Sequence, residues 1–207
     1  MVQGGNLKRS TLVLGALLLA GCGGPAEEPV ETMDAGAAME EPMPAPATGP
    51  VAPPTTDAEM IASALSAAPA AVGADATIIA IDTSGQVRTL RQGTGPFTCI
   101  PDGPSPGVDP ICVDPNGLVW LNAWVAQETP PADLVGFGYM LAGGSDASNE
   151  DPFATGPAAG ENWVDTGPHV MIFASGLAGH PMTHDDTSRP YMMWPGTPFE
   201  HLMAPVR

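Results

Sequence analysis

An α+β domain with a mainly antiparallel sheet, two helices packed on one face and long loops is the fold class this sequence predicts for residues 57–207. Three observations predict it. Two segments carry helix-start residues ahead of apolar side chains at helical spacing, and short apolar runs alternate with Gly, Pro and Asp loops through the C-terminal half. About 150 residues also suit one domain with a real core, and no internal repeat divides them.

Ahead of that domain, Lys8 and Arg9 supply a short positive region, Leu12 to Leu19 an apolar run, and Ala20-Gly21 the small residues of a cleavage site. The run is too short to cross a bilayer core, which takes about 20 apolar residues. The order Leu19-Ala20-Gly21-Cys22 resembles the lipobox of bacterial lipoproteins, in which the cysteine is acylated and becomes the first residue after cleavage. That resemblance implies a signal peptide over 1–21, lipidation at Cys22 and stable anchorage, because several acyl chains bury far more methylene than the single chain that binds only marginally. Glycine, not aspartate, follows Cys22, and in lipoproteins of Gram-negative bacteria this implies the outer membrane, with the domain facing the periplasm or the surface.

Residues 22–56 are rich in Pro, Ala and Glu, with six acids, no base and no periodicity. Such a segment cannot bury enough apolar surface to offset its ordering entropy, so it reads as a disordered tether, extended by proline and self-repelling charge. At ~3.1 Å per residue it would reach on the order of 100 Å.

Removal of the signal leaves 23 acids against Arg88, Arg91, Arg189 and Arg207, and no lysine. Schiff-base, pyridoxal and P-loop chemistry all need that lysine. Nucleic acid is excluded as a partner, since its binding rests on neutralising phosphates with Lys and Arg. An anionic membrane surface would repel the chain, so the lipid must hold it there.

The first expected element is an amphipathic helix from Asp57 to Ala68. Thr56 and Glu59 have capping-box spacing, Met60, Ile61, Ala64, Leu65 and Ala68 share a face, and Pro69 ends it. "ATIIAID" and "QVRTLR" flank "TSG" as a hairpin. Cys99 and Cys112 then remain as an even pair in an exported chain, and such pairs oxidise. Between them lies a loop rich in Pro, Gly and Asp. Asp114-Pro115 suits an N-cap and first turn, followed by Leu118, Leu121, Trp124 and Val125 at helical spacing. Trp120 and Trp124 are four apart, a spacing that serves a core or a stacked ligand.

"GFGYML", "HVMIF", "YMMW" and "HLM" read as strands between long loops. "GFGYMLAGGSDASN", "TGPHVM" and "MMWPGTPFEHLM" together resemble a family of uncharacterised exported bacterial proteins across nearly all of the folded region, a resemblance that implies no activity.

Several patterns carry chemistry. "GFGYML" begins as GxGxxG but ends in Leu141, against a dinucleotide loop. Ser145, after two glycines and before Asp146, suits either a turn or a nucleophile with His169 or His201 as base, the hydrolase alternative. Asp146, Ser148 and Glu150 alternate as calcium ligands do, yet Asp151 stands where that loop needs glycine. His180, Met182 and His184 crowd one short loop. Alternation places His169 with Met171, and His201 with Met203, on single strand faces. Were those faces to meet, two imidazoles and two thioethers, joined by Met140 or Met193, would form a soft set suited to copper(I). The opposing expectation is a methionine-rich core. The sequence thus favours a membrane-anchored binding or interaction module of the cell envelope, with an envelope protein or small molecule as partner, over catalysis; the alternatives are a periplasmic copper-binding protein and a Ser/His hydrolase.

Overall fold

The computed structural model describes residues 52–174, 177 and 186–206. The signal sequence, Cys22, most of the tether and the residues His180, Met182 and His184 lie outside them. The described chain is α+β. Its helices are α1 (Asp57–Ser66), the short α2 (Ala70–Gly73) and α3 (Pro115–Ala126). Its strands are β1 (Thr77–Ile81), β2 (Val87–Arg91), β3 (Thr98–Ile100), β4 (Ile111–Val113), β5 (Val135–Met140), β6 (Ser145–Asp146), β7 (Val164–Asp165), β8 (His169–Ala174), β9 (Tyr191–Met193) and β10 (His201–Pro205). Eight strands form one sheet in the order β2-β1-β3-β4-β5-β8-β10-β9, antiparallel except between β1 and β3, and β6 with β7 forms a separate small ribbon.

Local chemistry accounts for the helices. The Thr56 hydroxyl accepts from the Glu59 N–H while the Glu59 carboxylate accepts from the Thr56 N–H at 2.9 Å, which satisfies two otherwise orphaned donors. At α3 the Asp114 carboxylate accepts from the Gly117 N–H at 2.7 Å and from the Phe137 N–H at 3.0 Å, so one side chain both starts the helix and pins it to β5. A Cβ on Gly136 would stand 2.5 Å from the Gly117 backbone nitrogen, so only glycine lets strand and helix approach this closely.

The edge hairpin β1–β2 follows its expected pairing. From β2 the chain returns past the start of β1 to become β3, held by the Asp75 carbonyl, which accepts from Thr94 at 2.9 Å and Gly95 at 2.8 Å. Cys99 and Cys112 are cross-strand partners of β3 and β4 and are joined by a disulfide. The segment between them is therefore the turn of a hairpin whose strands enclose the bridge.

The helices do not share a face. Cys112 and Val113 are consecutive in β4, and the pleat sends them opposite ways. Cys112 joins Cys99, Ile78 and the α1 residues Ala64 and Ala67 in one core, while Val113 joins Met171, Phe173, Met203 and Trp120 of α3 in another. Two cores thus sit on opposite faces of one sheet. The expectation of a common face failed because β4, short and buried on both sides, carries no alternation that would mark a solvent face.

Candidate functional site

On the α3 face the sheet carries a cavity of about 670 Å³. The register explains its floor: Met171 lies opposite Met203, His201 lies opposite Phe173 and Met193, and His169 lies opposite Met140 and Pro205. Gly138, beside Met171, leaves room for these side chains, since a Cβ there would approach the Met171 methyl to 2.9 Å.

Tryptophans form the wall. Trp120 stacks on Phe173 with ring centres 4.4 Å apart, and Trp194 stacks on Trp124 at 5.7 Å. Both outer indoles are tied to the acidic loop: the Trp124 Nε1–H donates to the Pro152 carbonyl and that of Trp194 to the Ser148 carbonyl, each at 2.8 Å. The loop is itself built on side-chain turns, Asp146 accepting from the Ser148 N–H, Ser148 from Glu150 and Asp151, and Asp151 from Phe153. One oxygen each of Asp146, Ser148 and Asp151 thus serves the loop backbone.

Asp109, Ser145, Asp146, Thr166 and His169 make the polar end. Asp109 is the organiser. It accepts from the Ser145 N–H and hydroxyl and from the Ser105 hydroxyl, fixing the ribbon to the β3–β4 hairpin. Burial, reinforced by the Asp109 charge, pushes the Asp146 carboxyl up to about 6, against the hydrogen bond from Ser148.

The two histidines have the same local geometry. Each Nδ1 faces the carbonyl two residues earlier, His169 to Gly167 at 2.7 Å and His201 to Phe199 at 2.9 Å. A carbonyl can only accept, so the proton sits on Nδ1 and leaves Nε2 with its lone pair. His169 is 1% exposed, and its Nε2 has no hydrogen-bond partner among the described residues. Burial keeps both rings neutral: it lowers the His169 pKa and brings that of His201, enclosed by Trp120, Phe173 and Trp194, to about 4.

All four residues singled out for copper, with Met140 and Met193, line this cavity. The faces meet, but staggered. His169 and His201 fall on opposite sides of the Met171–Met203 pair, four positions apart along the strands, or about 13 Å at 3.3 Å per residue. One ion therefore has the two thioethers and a single imidazole within reach. Ser145 lies near the polar end, but its hydroxyl is bonded to Asp109, while each imidazole Nδ1 faces a backbone carbonyl. "GFGYM" is strand β5, not a phosphate loop. Trp120 is both core and cavity wall. Asp109, Thr166, Phe173 and Trp194 were not singled out by the sequence; Trp194, one of only four tryptophans, was the available signal.

Compared with known families, curated proteins and solved structures, the chain matches none.

Proposed function

We propose that the chain is an exported, membrane-anchored lipoprotein whose folded domain is a small-molecule binding module of the cell envelope. The observation that carries the binding function is the cavity: its volume lies within the ~300–1,000 Å³ common for small ligands, its walls are Trp, Phe and Met, and Asp109, Ser145, Asp146, Thr166 and His169 form a polar end. The lipobox residues support the anchor. The geometry favours binding over hydrolysis, because Ser145 is held by a carboxylate and no Ser–His hydrogen bond occurs among the described residues.

Titration of the purified full chain with N-phenyl-1-naphthylamine, a neutral apolar fluorophore, tests the binding function: saturable one-to-one enhancement supports it, and a linear, non-saturating signal refutes it. Fractionation tests the anchor. Cys22→Ser should move the protein from membrane to soluble fractions, and wild-type protein that is wholly soluble with an unmodified Cys22 would overturn lipidation.

A second reading, copper(I) binding, is favoured by the Met171–Met203 pairing beside the bare Nε2 of His169. It requires near-stoichiometric copper(I) uptake that is lost in Met171→Leu/Met203→Leu. Uptake no tighter than that of a weak competing chelator would remove it.

A further inference from the structure

We infer that the ligand of the cavity is an organic cation, a protonated amine on an aromatic or aliphatic body, with its N–H donors on Asp146 and the Nε2 of His169 and its apolar body against Trp120, Trp124 and Trp194. This rests on the small-molecule reading above and names the chemistry of that ligand.

Three of the five groups at the polar end are acceptors, and the Ser145 hydroxyl already donates to Asp109. Asp109 and Asp146 are both carboxylates, and His169 presents a lone pair that nothing among the described residues satisfies although the ring is almost completely buried. A buried acceptor without a donor is costly, and a ligand N–H removes that cost. The Asp109 oxygens are already occupied by Ser105 and Ser145, so Asp109 acts as a fixed charge. Asp146 receives backbone N–H bonds from Ser148 and Ala147, has the like charges of Asp109 and Asp151 nearby, and has no cation in contact among the described residues.

No lysine or arginine is among the described residues lining the cavity, and both histidines are held neutral, so nothing there would balance a ligand carboxylate or phosphate. A ligand ammonium would supply the missing countercharge through charge-assisted hydrogen bonds. The wall acts in the same sense, because the face of an indole attracts a cation. So does the whole chain, whose net charge of −17 raises the local concentration of cations over anions. A neutral ligand could fill the volume, but it would leave Asp146 without a counterion.

The test is a matched series of 2-phenylethylamine, 2-phenylethanol and phenylacetate, each titrated against the purified full chain by displacement of N-phenyl-1-naphthylamine. The amine should bind at least about tenfold more tightly than the alcohol, and the acid should not compete. Asp146→Asn keeps the acceptor for the Ser148 N–H and removes the charge. It should lower the affinity of the amine relative to that of the alcohol about tenfold, and saturable binding of the fluorophore shows that the variant is folded. Equal binding of amine and alcohol, tighter binding of the acid, or an amine affinity indifferent to Asp146→Asn would overturn the cation assignment with the binding module intact. A fluorophore that never saturates would overturn both.

Discussion

Gly144 is where the polar end of the cavity is most tightly assembled, and replacing it with alanine should cost the domain both stability and ligand binding. A Cβ at Gly144 would stand 2.3 Å from the Thr166 hydroxyl and 2.7 Å from Cε1 of His169. Both neighbours are buried, Thr166 6% exposed and His169 1%, so relief of the clash must push one of them into the ligand cavity they line. Overpacking of this kind costs roughly 1–3 kcal/mol. If the imidazole rotates to relieve the clash, its bond to the Gly167 carbonyl is lost as well, adding about 1 kcal/mol. The sum centres near 3 kcal/mol. For a domain of about 150 residues, with an unfolding entropy near 2.1 cal/mol/K per residue, that is a fall in Tm of about 10 °C. Gly156→Ala is the control, because a Cβ there meets nothing within 4 Å. Thermal and urea unfolding of the two variants gives the stabilities, and N-phenyl-1-naphthylamine titration gives the site. A Gly144→Ala protein that melts within about 2 °C of Gly156→Ala and binds the fluorophore as well as wild type would refute the close packing of His169 against the β6–β7 ribbon.

Three further outcomes follow from the same contacts. The disulfide spans 13 positions, so Cys99→Ala/Cys112→Ala should destabilise by about 3 kcal/mol in the chain-entropy account, measured by urea unfolding without reductant; a loss below about 1 kcal/mol would contradict it. His201 titrates near 6.5 when unfolded and near 4 when folded. The folded state thus binds fewer protons across that interval, and the stability held above pH 6.5 should fall by about 3 kcal/mol toward pH 4. In His201→Phe that part of the acid-side loss should disappear, and an unchanged pH profile would show that the ring is not held neutral. Trp120→Ala should cost about 3–5 kcal/mol, because the indole is 4% exposed and stacks on Phe173; calorimetry that finds less than about 1 kcal/mol would remove Trp120 from the core.

Much of the local structure was legible because it rests on chemistry between near neighbours. Thr56 and Glu59 named the start of α1, Asp114 and Pro115 that of α3, and the two-residue period of "HVMIF" and "HLM" put His169 with Met171 and His201 with Met203 on cavity-facing sides. What remained hidden is set by distant partners. Nothing local tells β1 to take β3 as a parallel neighbour, or tells β10 to stagger against β8 so that the two imidazoles stand apart. The strand character of Cys99 and Cys112 was masked by the Pro- and Gly-rich turn between them. Tyr191, Met192 and Met193 are all buried, so β9 shows no alternation at all. Asp109 lies in the Pro-, Gly- and Asp-rich loop between the cysteines, and only the fold brings Ser145 to it.

The position of β10 bears on when the molecule can become itself. It follows every other described strand along the chain, yet it sits inside the sheet, between β8 and β9. Without it β9 has no partner in the sheet, Trp120 and Trp194 lose His201, and the cavity floor lacks Met203. A ribosome must therefore release residues 201–205 before this half of the domain can close. If the chain is exported, as proposed above, that delay has a use: the segments that emerge before residues 201–205 cannot lock into a finished cavity, and the binding site is assembled only after β10 has arrived.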